Sequence, residues 1–327
     1  MDPITHRSLV SGLAERSGGR FLSVRYRLAP QNPFPAALID ILVSYLYLVS
    51  PPSTALHQAV PPSKIVFAGD SAGGNLALAL LLTIMTLRKR GIHSIRFYGV
   101  DVPLEVPAGV ALSSPWCDLS CSLPSYRRNA SYDYMAMSPD LGFADKMLPD
   151  EIWPRTPPRL ELYMNASALA HPLVTPLAAP LELWEGAPPT YICVGNELME
   201  DEDLILARKM HTAGVKVRLD AYEGMPHCFM MVFLTHPFTK TCMDSWSGFI
   251  KSAVDDSSNK QSTEGFTWAR AFSKPVERVP HSWTVLDELP SDKKVQELVQ
   301  KKREWYVEKE EKVIREWSEK EKKKARL

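Results

Sequence analysis

The run that most narrows what this chain can fold into is Lys64-Ile-Val-Phe-Ala-Gly69-Asp70-Ser71-Ala72-Gly73-Gly74, followed by an apolar stretch over residues 76–87. Its first five residues read as a buried strand, and residues 74–89 as a helix. The pattern Gly-x-Ser-x-Gly therefore sits where a strand turns directly into a helix. So sharp a turn forces the residue between the glycines into a strained backbone conformation. Gly69 and Gly73 lack the side chains that would clash as strand and helix approach. Ser71 then presents its hydroxyl above the sheet, at a helix N-terminus whose dipole favours developing negative charge. The Ala72 N–H faces the place where a carbonyl oxygen would become an oxyanion. This is the arrangement nucleophilic acyl transfer requires, with Ser71 as nucleophile and Ala72 as oxyanion donor.

The rest of the chain repeats the alternation of strand and helix. Residues 21–26, 64–68, 108–113, 190–194 and 216–221 read as strands, and 35–48, 74–89, 204–213 and 237–254 as helices. Short β-rich runs separated by helices make βαβ units, so the fold class is α/β with a mostly parallel sheet. Residues 120–187 break the rhythm. They are rich in proline and aromatic residues and read as a cap-like segment of helices laid over the sheet edge. Lys and Arg together number 38, as do Asp and Glu, so no basic excess draws the chain onto nucleic acid. At 45% apolar and 23% charged residues it is too apolar for a disordered chain. No uncharged apolar run reaches the ~18 residues of a membrane span. The N-terminus shows no basic region followed by an apolar core, and the default expectation is a cytoplasmic protein.

A serine hydroxyl needs a base. Of eight histidines, His227 in Gly224-Met-Pro-His227-Cys-Phe falls between the last strand and the last helix of this alternation, where a loop can reach the turn at Ser71. His171 and His211 read as structural, and His6, His57, His93, His236 and His281 have no comparable placing. A carboxylate that orients the imidazole is sought after the fourth strand, where Glu197, Glu200, Asp201, Glu202 and Asp203 lie within seven residues. Nearness to the strand end favours Glu197, with Asp201 as the alternative. The others suit the first turn of the following helix. Five cysteines are present, and the Cys117/Cys121 spacing has no second pair, so no metal site is expected and the thiols read as reduced and mostly buried. The sequons at Asn129 and Asn165 read as chance in a chain without a secretory leader.

Several blocks together carry a resemblance. Tyr26-Arg-Leu-Ala-Pro30-x-x-Pro33-Phe-Pro-Ala-Ala37-x-x-Asp40, Gly69-Asp-Ser-Ala-Gly-Gly-Asn-Leu-Ala, Ser114-Pro-Trp-x-Asp118-Leu, His171-Pro-Leu-Val-x-Pro176 and Gly224-Met-Pro-His227 stand in this order. They resemble the signatures of the hormone-sensitive-lipase-like esterases, the α/β hydrolase fold-3 family, over about residues 3–254. The resemblance implies the α/β-hydrolase fold and a serine carboxylesterase or lipase-like hydrolase. Such an enzyme acts on a small-molecule ester through an acyl-enzyme, with no cofactor. Position by position, Ser71 matches the nucleophile and His227 the base. Glu197 matches the acid, where most members carry the Asp of an Asp-Pro-Leu-x-Asp-Glu block. Asp40 and Asp118 match recurrent acids assigned to structure. Short or medium acyl esters are expected beneath the aromatic residues Trp116, Tyr126, Tyr132, Tyr134 and Trp153.

One departure stands out. The family places a His-Gly-Gly-Gly-type oxyanion loop just before the segment matching Asp2-Pro-Ile-Thr-His6-Arg7, and no His-Gly-Gly occurs in this sequence. The resemblance thus implies an N-terminally truncated member, without the N-terminal strands and that loop, and with Ala72 as the donor that remains. The strand at 21–26 would then stand one strand's width from that at 64–68, about 9–10 Å rather than ~4.8 Å, with unpaired backbone facing the gap. The alternative expectation is a catalytically impaired relative that binds a small hydrophobic ligand.

Beyond residue 254 the composition shifts. Residues 255–290 read as a polar linker whose Trp268, Phe272, Pro275 and Trp283 lie on the globule. Residues 291–327 read as a charged amphipathic helix with Ser291 as its N-cap. Its narrow stripe is Val295, Leu298, Val299, Tyr306, Val313, Ile314 and Trp317, and residues 301–327 carry a net charge of +4, leaving −4 for the rest. The tail resembles extensions on some fungal members. A solvated extension with a weak packing stripe is expected, and self-association through 291–327 is the alternative.

Overall fold

Strands covered by helices on both faces are apolar throughout rather than alternating, and two strands of this chain, 109–113 and 190–195, are buried at every position. The computed structural model describes residues 3–135, 159–255, 265–270 and 276–324. In chain order its elements are α1 (Arg7–Ser17), α2 (Ala36–Val49), β1 (Val66–Asp70), α3 (Ala72–Lys89), β2 (Ser94–Phe97), β3 (Val100–Pro103), β4 (Gly109–Ser113), α4 (Ser125–Arg128), β5 (Thr190–Gly195), α5 (Glu200–Thr212), β6 (Val217–Tyr222), α6 (Phe229–Val232), α7 (Pro237–Val254), β7 (Gly265–Ala269), β8 (Arg278–His281) and α8 (Asp292–Lys324). The main sheet has the order β1-β4-β5-β6-β7-β8. It is parallel from β1 through β7, and β8 runs antiparallel at one edge.

Side chains leave successive strand positions on opposite faces, and the core divides accordingly. Val110, Leu112, Ile192 and Val194 pack with α3 and α5, including Leu78, Leu81, Leu82 and Ile205. Ala111, Tyr191 and Cys193 pack on the other face with α1 and α7 through Leu9, Leu13, Trp246 and Phe249. Burial of each leucine contributes about 1.5–3 kcal/mol. The residues 76–87 are thus the central core helix on one face, and the residues just before them are held at the carboxyl end of β1.

The structure corrects the sequence reading at several places. Residues 21–26 form no strand. Among the described residues β1 pairs only with β4, so no described strand offers them a ladder, and an extended segment without hydrogen-bonded neighbours is not held as a strand. Within 120–187 the described residues hold α4 and short 3-10 turns at Ala166–Ala168, Pro176–Ala178 and Leu181–Leu183. Pro172, Pro176 and Pro180 each remove a backbone donor, so helices of normal length cannot form across them. Residues 136–158, with Trp153, lie outside the described residues. A hairpin, β2 with β3, was not legible in the sequence. Its turn at Tyr98-Gly99 has φ of 45° and 80°, and tyrosine is not a residue that announces such a turn.

The segment read as a linker extends the sheet. β7 pairs with β6, and Asp220 of β6 fastens the addition by accepting from Thr267 Oγ1 at 2.7 Å and from the Arg278 guanidinium. Trp283 stacks on His211 with ring centres 4.4 Å apart; Phe272 and Pro275 lie outside the described residues. Arg208 then holds the chain before α8, donating to Leu286 O at 2.7 Å and Pro290 O at 2.6 Å. Ser291 Oγ accepts from Lys294 N at 3.3 Å, which is cap geometry. Part of the apolar stripe of α8 is used within the chain. Val295, Val299 and Tyr306 are buried, with Tyr306 packed against Leu160, Met164 and Leu169. Arg303 Nε also donates to Ser167 O at 2.8 Å. Among the described residues no helix is long and apolar enough to cross a membrane.

Candidate active site

Ser71 stands between β1 and α3 with φ 52° and ψ −123°. A non-glycine residue there carries strain of order 1–3 kcal/mol, which persists only if the surroundings over-determine it. They do. The Ser71 N–H donates to Ser113 O at 3.1 Å, and its carbonyl accepts from Asn75 N at 3.1 Å and Trp116 N at 3.0 Å. Asn75 Nδ2 then donates to Trp116 O and Val174 O, both at 2.9 Å. One buried amide thus pins the start of α3 to the Ser-Pro-Trp and His-Pro-Leu-Val blocks. A Cβ on Gly69 would lie 2.7 Å from the Gly74 nitrogen and closer still to the Gly73 carbonyl, and one on Gly74 would lie 2.7 Å from Pro115 Cβ. At Gly73 nothing lies within 4 Å. The steric demand therefore falls on Gly69 and Gly74, not on Gly73 as the motif suggests. Ala72 opens α3, whose first-turn N–H groups have no acceptor within the helix.

His227 follows β6 on a loop seated against the end of β5, so close that a Cβ on Gly195 would strike Met225 O. The imidazole is 3% exposed and its Nδ1 is hydrogen-bonded to Glu197 Oε2. Glu197 is fully buried, and its Oε1 accepts from Ser114 Oγ and from Gly195 N at 3.2 Å. Ser114 Oγ also accepts from Cys228 N at 3.3 Å, so one hydroxyl ties the loop of the acid to the loop of the histidine. Ser114 itself has φ 46°. The sequence reading used it only as the first letter of a block, and its position at the end of β4 was the signal available. Asn129, read as part of a chance sequon, is buried and donates to Glu197 O at 2.8 Å and Glu200 Oε2 at 2.7 Å.

Asp201, the alternative acid, is elsewhere. It accepts from Arg128 Nη2 at 2.6 Å and Ser125 N at 2.9 Å. The remaining acids stand in the first turn of α5, as the sequence suggests, and all are buried. Glu200 pairs with Arg128 at 2.9 Å. Glu202 accepts from Cys117 N at 2.7 Å, Asp118 N at 3.0 Å and Tyr126 Oη at 2.9 Å. They satisfy donors of the segment 117–128, which sequence distance hides. Cys117, Glu202 and Asp203 come together. Burial pushes the Cys117 thiol and the Asp203 carboxyl well up, with Glu202 adding to both, and Glu202 Oε1 is already spent on two backbone donors. Asp118 and Asp40, the acids assigned to structure, bind Ser122 N at 2.9 Å and Arg27 at 2.8 Å respectively. His171 Nδ1 accepts from Leu173 N at 3.2 Å.

Burial by itself depresses the His227 pKa. The Glu197 carboxylate, with Asp133 and Asp70 farther off, outweighs it and holds the imidazole above its ordinary value near 6.5. Among the described residues no hydrogen bond joins Ser71 Oγ to His227. Instead His227 Nε2 lies 3.4 Å from Cys228 Sγ, which is 3.8 Å from Asp70 Oδ2, beside Ser71. The other Asp70 oxygen is 2.9 Å from His6 Nε2, a residue the sequence reading passed over. Tyr134, largely exposed, has its ring centre 6.4 Å from that of His227. Tyr132 is also exposed, whereas Tyr126 is buried in the core beside Leu198 and Met199. The structure thus joins Glu197 to His227 and brings Cys228, the residue after His227, to Asp70, the residue before Ser71.

Known proteins are similar over the same region. A family model described as alpha/beta hydrolase fold matches residues 1–231. An acetyl-hydrolase of Streptomyces hygroscopicus is 29% identical over 78% of this chain and 72% of its own length. An esterase of Acinetobacter venetianus is 31% identical over 76% of this chain and 69% of its own. A solved structure of a hormone-sensitive lipase from a metagenome library superposes with a TM-score of 0.60 at 30% identity, covering 78% of this chain and 73% of that one. With the parallel sheet, the strained serine between β1 and α3, and these relatives, the chain belongs to the alpha/beta hydrolase fold family, among its hormone-sensitive-lipase-like esterases.

Proposed function

We propose that this protein is a serine carboxylesterase in which Ser71 is the nucleophile, His227 the general base and Glu197 the acid that orients it. The observation that carries the proposal is the buried bond from His227 Nδ1 to Glu197, in a chain whose Ser71 is held at φ 52° on the turn between β1 and α3. The carboxylate accepts the Nδ1–H, which fixes the tautomer whose Nε2 accepts a proton. Ser71 Oγ attacks the ester carbonyl carbon as its proton passes to His227 Nε2. The negative charge on the carbonyl oxygen is met by the Ala72 N–H at the start of α3. The tetrahedral adduct collapses, the C–O bond to the alcohol breaks, and His227 returns the proton to the leaving oxygen. Water then attacks the acyl-serine with His227 again as base, and acid and free serine result. Short or medium acyl esters are the substrates this reading expects, with Tyr134 beside the His227 ring.

Each oxyanion donor of this kind contributes ~10²–10³ in rate, and the Ala72 N–H is the one this site identifies. The second reading is an impaired relative that binds a hydrophobic ligand, and what favours it is that His227 Nε2 faces Cys228 Sγ at 3.4 Å, with no hydrogen bond to Ser71 Oγ among the described residues. Hydrolysis of p-nitrophenyl acetate and butyrate decides between them. Turnover above the buffer rate that disappears in Ser71→Ala supports the esterase. Folded protein with no turnover on either ester refutes it.

A further inference from the structure

Cys228 has a backbone in the left-handed region, φ 48° and ψ 39°. This turns its side chain back along the ring of its own neighbour, so that Sγ lies 3.4 Å from His227 Nε2. The thiol is 2% exposed, and its single proton has two acceptors in reach, His227 Nε2 at 3.4 Å and Asp70 Oδ2 at 3.8 Å, of which the ring nitrogen is the nearer. His227 Nδ1 is committed to Glu197, so Nε2 of the neutral ring is an acceptor, and the group in front of it is a sulfur rather than Ser71 Oγ. Burial, then Asp70 and Glu197, push the Cys228 thiol well up, which leaves the S–H as a donor.

We propose that Cys228 is a positioning residue that holds His227 Nε2 through its S–H and competes with Ser71 for it, so that the resting site keeps its base neutral and parked. This goes beyond the esterase reading and rests on it only for the consequence at Ser71. A donor on Nε2 stabilises the neutral imidazole and opposes the carboxylates that favour the charged one. The groups facing the ring are Glu197 from the loop after β5, Asp133 and Tyr134 from the segment after α4, Asp70 from β1, and Cys228 itself. Removal of the donor then raises the pKa of His227, and a stronger donor at the same place lowers it.

The test is an NMR titration of the ¹⁵N-labelled His227 ring in wild type, Cys228→Ala and Cys228→Ser, with fluorophosphonate labelling of Ser71 run in parallel. Cys228→Ala is expected to raise the ring pKa by about half a unit, the size of a modest hydrogen bond, and Cys228→Ser to lower it. At a pH where the ring is neutral, Cys228→Ala is expected to label about threefold faster. Opposite shifts in the two variants support the proposal. Shifts of the same sign, or none, overturn it. If Cys228→Ala fails to fold by circular dichroism, Cys228→Ser decides alone: a fall supports, no change or a rise refutes. An absence of labelling in every protein counts against the esterase reading, while the direction of the two pKa shifts still decides the role of Cys228.

Discussion

The motif Gly69-x-Ser71-x-Gly73 is symmetric on paper and asymmetric in the structure, and alanine at each glycine exposes the difference. In Gly69→Ala the new Cβ starts 2.7 Å from the Gly74 nitrogen and closer still to the Gly73 carbonyl. All of these atoms are backbone, so no side chain can swing aside. Ordinary contact begins at 3.4 Å, so the first turn of α3 must retreat by about 0.7 Å or more. Overpacking of this kind costs about 1–3 kcal/mol when side chains yield, and the upper end applies where only backbone can. Ser71, one residue from the displaced turn, moves with it, and misplacement of a nucleophile on the 1 Å scale costs ~10² in rate. Gly73→Ala meets nothing within 4 Å and lies inside a helix, where alanine is favoured over glycine by about 1 kcal/mol. The assay is urea unfolding of both variants, followed by the rate of Ser71 labelling with a small fluorophosphonate. Gly69→Ala is expected to lose about 3 kcal/mol and ~100-fold in labelling, and Gly73→Ala to stay within a few-fold of wild type. Equal damage from both, or an unharmed Gly69→Ala, refutes the steric argument.

Four further outcomes follow from the same geometry. Glu197→Ala is expected to slow ester hydrolysis by ~10³ or more, because His227 loses the partner that fixes its tautomer. Asp201→Ala leaves kcat within about tenfold but lowers the melting temperature, since it strips Ser125 N of its acceptor and Arg128 of one of its two carboxylates; kinetics beside thermal melts separate the two. The acidic limb of kcat/KM is expected above pH 6.5, because the base must be neutral and its pKa is held up by Glu197 against burial. The linked stability has the matching sign: a raised folded pKa stabilises below the unfolded value and is lost as pH rises through the folded one. Melting curves from pH 5 to 9 check it in wild type against His227→Gln. Asp203 is buried with Oδ2 unpartnered and its pKa pushed well up, first by burial and then by Glu202 and Glu197. Asp203→Asn removes the ionisable group in nearly the same shape and is expected to stabilise by about 1–3 kcal/mol, more at pH 8 than at pH 5 because the carboxyl ionises freely only in the unfolded chain; unfolding at the two pH values measures it.

Local chemistry made much of the fold legible. β1, β4, β5 and β6 announced themselves as short apolar runs between helices, because strands covered on both faces must be apolar. The turn at Ser71 announced itself through glycine. What stayed hidden depends on contacts between distant residues. Residues 21–26 have a strand's composition and no described strand to pair with. β7 and β8 lie behind a polar run and are fastened by Thr267 and Arg278 to a buried acid of β6, about fifty residues away, which no local pattern records. Glu197 stood out by its nearness to β5. The uses of Glu200, Asp201 and Glu202 by residues 117–128 did not, since all look alike as acids ahead of a helix. Ser114, Asn129 and Cys228 act through buried bonds across the loops, and small polar residues carry no signal of such a role.

The claim on which the rest depends is that Ser71 is an activated nucleophile. The direct measurement is treatment of the folded protein with a fluorophosphonate, digestion, and location of the adduct by mass spectrometry. The account predicts one adduct, on Ser71, absent in Ser71→Ala and formed at least ~100-fold more slowly in His227→Ala. An adduct on another residue, or none on folded wild-type protein, contradicts it.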